Sequence, residues 1–143
     1  MGRLFLTALF IGLTASAAGA QSLKWGPGPS ALPAGAQAAV VLGDPAKPGA
    51  FVMRLKFPAN YVVAPHWHPT DESVTIVDGK LSLGMGDTLD MKAAALGAGA
   101  HVVAPAKMHH YAFTGGEGAT IEVSSTGPFE VHYLNAKDDP RNK

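Results

Sequence analysis

The segment 65–72 reads PHWHPTDE, and in a chain without cysteine it is the strongest chemical signature. His66 and His68 are two residues apart, and Glu72 follows four residues later. Because successive side chains of a β-strand point to opposite faces, the two histidines are expected to share one face while Trp67 points to the other. A bend after His68 would let Glu72 turn back toward the same point. The segment therefore predicts two imidazoles and a carboxylate around one metal ion.

A third histidine, His110, completes the predicted ligand set. It lies on a predicted strand at residues 108–114, where side-chain alternation places the adjacent His109 on the opposite face. We therefore expect only one of these two neighbours to point inward. His101 and His132 fall on other predicted strands and are not expected to bind the metal.

Three imidazoles and one carboxylate offer nitrogen and oxygen ligands and no sulfur. This set suits a divalent transition metal: Mn, Fe, Co, Ni, Cu or Zn. Four protein ligands leave one or two positions open on a five- or six-coordinate ion, whereas a tetrahedral zinc site would be closed. The alternative is a metal-free pocket. Because buried imidazoles and a carboxylate would then need several compensating hydrogen bonds, we expect a metal.

Residues 1–20 have the features of a secretory signal peptide. Arg3 precedes an apolar run at residues 4–18, and the small residues at 18–20 form a cleavage site before Gln21. The run is short for a membrane-spanning helix, which needs about 20 apolar residues, so cleavage is favoured over an uncleaved anchor. We therefore expect a periplasmic or secreted protein that is not attached to a membrane after cleavage.

The length of 143 residues suits one domain. Eleven basic residues balance eleven acidic ones, and no basic stripe is present, which argues against nucleic acid as a partner. The absence of cysteine excludes disulfides and thiolate metal sites. Nothing in the sequence resembles a nucleophilic triad, a phosphate loop or a dinucleotide fingerprint.

Short apolar runs separated by proline and glycine are typical of an all-β sandwich or barrel. From Phe51 to Phe57 every second residue is large and apolar, which predicts a strand with one buried face. Asp78-Gly79 between two such runs predicts a type I′ hairpin turn. Residues 87–96 contain the only predicted helical turn. Further strands are predicted at residues 38–42, 101–104, 119–125 and 129–134.

The two histidine-bearing segments together resemble the motifs of the cupin superfamily. The matching positions are His66, His68, Glu72, Gly79, Gly99, Pro105 and His110. The resemblance spans about residues 51–125 and fills all four metal-ligand positions of the family. It implies an all-β, cupin-type double-stranded β-helix, the RmlC-like jelly-roll barrel, in a single domain. An N-terminal extended arm would occupy residues 21–50, the barrel 51–134 and a C-terminal tail 135–143.

Three positions depart from the family motifs. Asn60 and Lys107 stand where glycines are usual, and Thr114 replaces an asparagine. Asparagine tolerates a left-handed backbone better than most residues. A lysine in that conformation costs roughly 1 kcal/mol, so Lys107 indicates either a different turn type or a cation near the mouth of the pocket.

The resemblance implies a metal-dependent enzyme acting on a small molecule, with dioxygenase-, isomerase- or decarboxylase-like chemistry. The alternative is a non-catalytic module that binds or senses a metal or small ligand. No acid or base is identifiable beyond the metal ligands. Tyr61, Lys107 and His109 are candidates only because they lie near the motifs. The family resemblance also makes a homodimer plausible.

Overall fold

Nine β-strands and one short 3-10 helix form the part of the chain that the computed structural model describes, residues 22–143. The strands are β1 (Gly26–Pro27), β2 (Gln37–Leu42), β3 (Gly49–Phe57), β4 (Val62–Trp67), β5 (Glu72–Met85), β6 (Ala95–Gly97), β7 (His101–Ala104), β8 (His110–Gly127) and β9 (His132–Tyr133). The 3-10 helix is Pro140–Asn142. The predicted signal peptide at residues 1–20 lies outside the described residues. Within them, no helix is long and apolar enough to cross a membrane.

The longest strand, β8, organises the sheet. Its second half pairs with β3 and its first half with β4, while β5 runs along its other edge for most of its length. Beyond these strands, β2 and β1 extend the sheet from β3, β9 extends it from β4, and β6 and β7 pair with β5. All of these pairings are antiparallel. The long strands therefore span both layers of one jelly-roll barrel, and the prediction of a single all-β domain is confirmed.

The interior of the barrel is filled by alternate residues of its strands. Phe51, Met53, Leu55 and Phe57 of β3 are all buried, as the period-two pattern predicted. They pack with inward-facing side chains of β5 and β8, of which Val123 is fully buried. Each large apolar side chain buried in this way contributes about 1.5–3 kcal/mol to folding. This apolar filling surrounds the few polar side chains that face inward.

The prediction of a hairpin at Asp78-Gly79 was wrong. The chain passes straight through in β5, and the pairing with β8 shifts register on both sides of these residues. Gly79 has a φ of 72°, and a Cβ there would lie 2.3 Å from the carbonyl oxygen of Gly118. Asp-Gly supplies the left-handed backbone of a β-bulge as well as that of a turn. Here it bends a long strand instead of reversing it.

The prediction of a helical turn at residues 87–96 was also wrong. The segment is a loop, in which the Asp90 carboxylate accepts a hydrogen bond of 2.9 Å from the backbone of Lys92. Such an aspartate-capped turn competes with helix, and one isolated helical turn is too short to be stable in water. The chain is extended again from Ala95, where β6 pairs with β5.

Two strands that the sequence predicted separately, residues 108–114 and 119–125, are joined in β8. The glycines between them belong to the same strand, although residues 115–118 have no partner on β5, whose register shifts between Gly79 and Leu81. The strand predicted at 129–134 is reduced to β9. The predicted strands at 38–42 and 101–104 are confirmed as parts of β2 and β7.

Candidate metal centre

Three histidines meet inside the barrel. His66 near the end of β4 lies opposite His110, the first residue of β8, and His68 follows directly after β4. All three are buried, and one ring nitrogen from each lies within 4.8 Å of the others. Trp67, between the first two, points to the outer face and stacks on the ring of His132 at 4.1 Å. The alternation of the strand thus brings the predicted imidazoles together.

Glu72, the first residue of β5, lies against the same cluster. One of its carboxylate oxygens, Oε2, is 3.3 Å from Nε2 of His68 and 3.3 Å from Nε2 of His110. These distances suit an ion pair. Among the described residues, however, neither nitrogen has a hydrogen-bond partner, although both are buried. Two imidazole nitrogens and a carboxylate oxygen therefore converge on one point without forming hydrogen bonds to one another.

This convergence fits a metal ion. Ligand atoms held about 2.1 Å from one ion lie about 3.0 to 3.4 Å apart when the angles between them range from octahedral to tetrahedral. The separations of 3.3 Å around Glu72 fall in that range. A buried polar atom without a partner costs roughly 1–3 kcal/mol, and a bound ion would remove that cost at both nitrogens. The His66, His68 and His110 cluster could therefore hold a metal.

The second ring nitrogen of each histidine contacts a backbone carbonyl. Nδ1 of His66 lies 2.7 Å from the oxygen of Ala64, and Nδ1 of His110 lies 2.9 Å from that of Met108. Nδ1 of His68 lies 2.6 Å from the oxygen of Glu130. A carbonyl can only accept, so each Nδ1 carries a proton, and in the neutral form of each ring Nε2 presents the lone pair. This is the tautomer in which Nε2 binds a metal, with the ring orientation fixed from behind.

The electrostatics of the cluster favour a cation. Burial and the neighbouring imidazoles of His110 and His68 lower the pKa of His66 to about 3. Burial opposes ionisation of Glu72, but His110 and His68 outweigh it and hold the pKa of the carboxyl well below its usual range. Burial also opposes the charged form of His68, yet Glu72 outweighs it and raises the pKa of that ring. A neutral His66 beside an anionic Glu72 is the protonation state that a divalent ion requires.

A cavity of about 30 Å³ adjoins the cluster. It has room for roughly one or two water-sized molecules. The side chains that line it are Leu32, Leu55, Phe57, Val63, His66, His68, Glu72, Val74, Leu81, Leu83, His110, Ala112, Ile121 and Phe129. Apart from the four predicted ligands, all of these are apolar.

The other histidines lie away from the cluster. His109 faces outward, and its Nδ1 contacts the Asp87 carboxylate at 2.6 Å. The ring of His101 contacts the Thr75 hydroxyl at 2.9 Å. His132 contacts the Glu130 carboxylate at 2.8 Å on the surface. Each ring is thus engaged outside the candidate centre.

The remaining acid–base candidates do not line the cavity. The Tyr61 hydroxyl donates a hydrogen bond to the carbonyl of Pro33. Lys107 is exposed and has a φ of 63°, so the turn keeps its left-handed backbone and the alternative of a different turn type was wrong. Its amide donates to the carbonyl of His68 at 2.8 Å. The Asp71 carboxylate holds the same turn by accepting a hydrogen bond of 2.7 Å from the backbone of Ala106.

Two contributions to the site could not be foreseen from the motifs. The carbonyl of Glu130 orients His68, and the ring of Phe129 stacks on the same imidazole at 5.2 Å. Both residues lie about sixty positions further along the chain. Every residue has a backbone carbonyl, so the sequence does not show which one will contact a histidine. A single phenylalanine is expected simply to pack in the hydrophobic core.

No protein-family model and no curated protein matches the sequence, but solved structures do match its fold. The polyketide cyclase RemF from Streptomyces resistomycificus superposes with a TM-score of 0.62 at 18% identity, over 73% of this chain and 75% of that one. An RmlC-like cupin from Shewanella frigidimarina gives 0.54 at 16% identity, over 64% and 76%. An oxalate oxidase gives 0.55 at 21% identity, over 75% and 59%.

These likenesses confirm the predicted fold. The chain is a single-domain, cupin-type double-stranded β-helix, and its resemblance to the cupin superfamily holds at the level of structure. At such low identities the likeness concerns the fold alone.

Proposed function

We propose that this protein is an exported, metal-dependent enzyme that acts on a small molecule. In this proposal His66, His68, Glu72 and His110 hold one divalent transition metal. The observation that carries it is the convergence on Glu72, where two buried imidazole nitrogens lie 3.3 Å from one carboxylate oxygen without a hydrogen bond. Fold likeness to proteins described as a polyketide cyclase and an oxalate oxidase supports an enzymatic role.

The protein residues would position the ion and shield it. Carbonyl contacts behind the three rings hold each Nε2 toward the centre. The apolar wall of the cavity leaves space for a bound molecule beside the ligands. A divalent ion held there would supply Lewis-acid or redox chemistry. Dioxygenase-, isomerase- and decarboxylase-like reactions are the classes to test, with Mn, Fe, Co, Ni, Cu or Zn as the metal.

Metal analysis of protein purified without added ions tests the centre. We expect about one divalent ion per chain, and a chelator should lower the melting temperature because an ion at 100 times its Kd stabilises the folded state by about 2.7 kcal/mol. His110→Ala should abolish both effects. His109→Ala is the matched control, since the adjacent ring lies on the surface and should leave both unchanged. A melting curve insensitive to chelator would sink the metal proposal.

Catalysis is tested by incubating the metal-loaded protein with catechols, diketones and sugar acids. We expect turnover by the wild type and by His109→Ala, and none by His110→Ala. No turnover with any metal, despite an occupied site, would favour the second candidate function.

That second candidate is a non-catalytic metal- or ligand-binding module. One observation favours it: apart from the four predicted ligands, the described residues that line the cavity include no group able to give or take a proton. A binding module needs no such group, whereas an enzyme would have to rely on the ion and on Glu72. Ligand binding without turnover would support it.

Location and assembly are proposed on separate grounds. Cleavage after residue 20 would leave Gln21 as the N-terminus of a periplasmic or secreted protein. N-terminal sequencing of the exported fraction tests this.

A homodimer is supported by the exposed apolar residues Val40 and Leu42 on β2, beyond the point where β1 pairs with it. Light scattering of the purified protein would give the mass in solution.

A further inference from the structure

The cavity beside the predicted ligands is too small for the molecules that the proposed function requires. Its volume of about 30 Å³ has room for roughly one or two water-sized molecules. Catechols, diketones and sugar acids are all much larger. A protein that takes such a molecule at this centre must therefore move part of the cavity wall.

Most of that wall is fixed by strand pairing. Nearly all of the apolar side chains that line the cavity come from β3, β4, β5 and β8, which are paired with one another. Phe129 lies outside the strands, but its amide donates to the carbonyl of Pro45 at 2.7 Å, and its ring packs on Phe51 and His68. Leu32 is the remaining apolar side chain of the wall that no strand carries.

Leu32 belongs to the β1–β2 loop, residues 29–35. The base of this loop is closed by a hydrogen bond of 2.9 Å from the amide of Gly28 to the carbonyl of Ala36. Inside the loop, the amide of Leu32 donates to the carbonyl of Pro29 at 2.9 Å. A compact loop whose ends lie close together can move as one piece without disturbing the strands that it connects.

Two tyrosine hydroxyls fasten the loop on either side of Leu32. The Tyr133 hydroxyl donates to the carbonyl of Ala31 at 2.8 Å, and the Tyr61 hydroxyl donates to that of Pro33. Within the described part of the chain, these are the only hydrogen bonds that join the loop to the rest of the barrel. Leu32 is the one side chain of the loop that lines the cavity. A segment held by so few contacts opens at a lower free energy than the paired strands.

We propose that the β1–β2 loop is a lid over the candidate metal centre and that Leu32 sets the size of the molecule that is admitted. When the two tyrosine hydrogen bonds break, the loop turns about its base and withdraws Leu32 while the strands stay paired. Gly35, beside that base, has a φ of 104° and provides a joint without the steric limits of a side chain. The inference rests on the proposed function, because it concerns how a small molecule reaches that centre.

The first test compares a small and a larger probe on the full mature chain loaded with Co(II), whose visible spectrum changes when a ligand binds. Azide is a small linear ion that fits with the loop closed, whereas the ring of imidazole does not fit. Tyr133→Phe removes one fastening hydrogen bond and keeps the aromatic ring. Because one hydrogen bond changes an opening equilibrium about fivefold, stopped-flow mixing should show imidazole binding about fivefold faster and azide binding at an unchanged rate.

Tyr61→Phe should give the same result, since it removes the other fastening hydrogen bond. Tyr111→Phe is the matched control. It loses the same hydroxyl, but its ring packs against Gly84 away from the cavity, so both rates should stay at the wild-type values. Imidazole binding that neither lid variant accelerates, or that Tyr111→Phe accelerates equally, would overturn the lid.

A second test isolates Leu32. Leu32→Ala removes most of the apolar contact that holds the lid shut, so imidazole should enter at least about tenfold faster. Leu83→Ala is the matched control, because it removes the same atoms from the same cavity but lies on β5 and leaves the lid in place. Equal acceleration by Leu83→Ala would show that cavity volume controls entry, and would overturn the role of Leu32.

Hydrogen–deuterium exchange of the metal-free protein provides a readout that needs no ion. The amide of Leu32 should exchange about fivefold faster in Tyr133→Phe than in the wild type or in Tyr111→Phe, with β3 and β8 unchanged. Equal exchange in all three proteins would sink the lid and leave the proposed function standing. A wild-type protein that retains no metal would sink the proposed function, and the exchange rates would then decide the lid by themselves.

Discussion

Each histidine of the candidate centre uses its two ring nitrogens differently. One nitrogen contacts a backbone carbonyl, which fixes the tautomer and the direction of the ring. The other is left facing the centre, and for His68 and His110 it has no partner among the described residues. The support behind His66 and His110 comes from carbonyls two residues away on their own segments. His68 alone depends on a distant part of the chain, the carbonyl of Glu130.

Lys107 provides a prediction at the scale of one residue. Its φ of 63° lies in the left-handed region, where a side chain costs about 1 kcal/mol relative to glycine. Glycine also gains freedom in the unfolded chain, which offsets part of the benefit, so Lys107→Gly should raise the free energy of unfolding by only about 0.5 kcal/mol. Urea denaturation measures it. Lys107→Ala keeps a Cβ and should give no gain; equal stabilisation by both variants would refute the strain argument.

At the scale of elements, the C-terminal segment completes the centre. Phe129 and Glu130 contact His68 from one side, and the guanidinium of Arg141 donates to the carbonyl of Val131 at 2.9 Å. The same guanidinium pairs with the Asp139 carboxylate at 2.7 Å. Arg141 thus ties the C-terminal tail to Val131. This residue follows Glu130, whose carbonyl orients the predicted metal ligand His68.

Arg141→Ala should therefore weaken metal binding without unfolding the barrel. Partners that orient a metal ligand from behind typically change affinity 10- to 100-fold, and for this indirect fastening we expect about tenfold. Affinity is measured by competition with a coloured chelator, alongside the melting temperature of the metal-free protein. Arg54→Ala is the matched control, because it also breaks an arginine–carboxylate pair but lies on β3 away from the cavity. Equal metal affinity in both variants would rule out the fastening role.

At the scale of the whole molecule, two tyrosines, the buried Tyr61 and the partly buried Tyr133, fasten the N-terminal segment to the barrel. The hydroxyl of Tyr133 donates to the carbonyl of Ala31, and that of Tyr61 donates to the carbonyl of Pro33. Leu32, between those carbonyls, is buried in the core and lines the cavity. Ionisation of either tyrosine would remove a donor and place a charge in a partly apolar site.

This arrangement predicts a loss of stability at high pH. Burial raises the pKa of Tyr133 to about 12, and burial also raises the pKa of Tyr61 above its ordinary value. Because the folded pKa exceeds the unfolded value of about 10, the contribution is complete below about pH 10 and is lost as the pH rises toward 12. Melting temperatures across this range should fall less steeply for Tyr133→Phe. A titration in which every tyrosine ionises near pH 10 would contradict the prediction.

The local sequence was informative wherever neighbouring residues decide the structure. Strand alternation identified the buried face of β3 and the shared face of His66 and His68. It failed at Asp78-Gly79, because a turn and a bulge need the same left-handed glycine. Only the partner strand distinguishes them, since β8 runs past this point and keeps β5 paired.

The sequence by itself determined the all-β fold class and the shared face of His66 and His68, because residue type and strand periodicity are local properties, and the family motifs added His110 to the cluster. The tertiary structure decided how Glu72 stands against two ring nitrogens, which carbonyl supports His68 and how much space remains beside them. Those features depend on segments about forty to sixty residues apart meeting in one barrel. Pairing between distant strands sets their distances, and no local pattern encodes it.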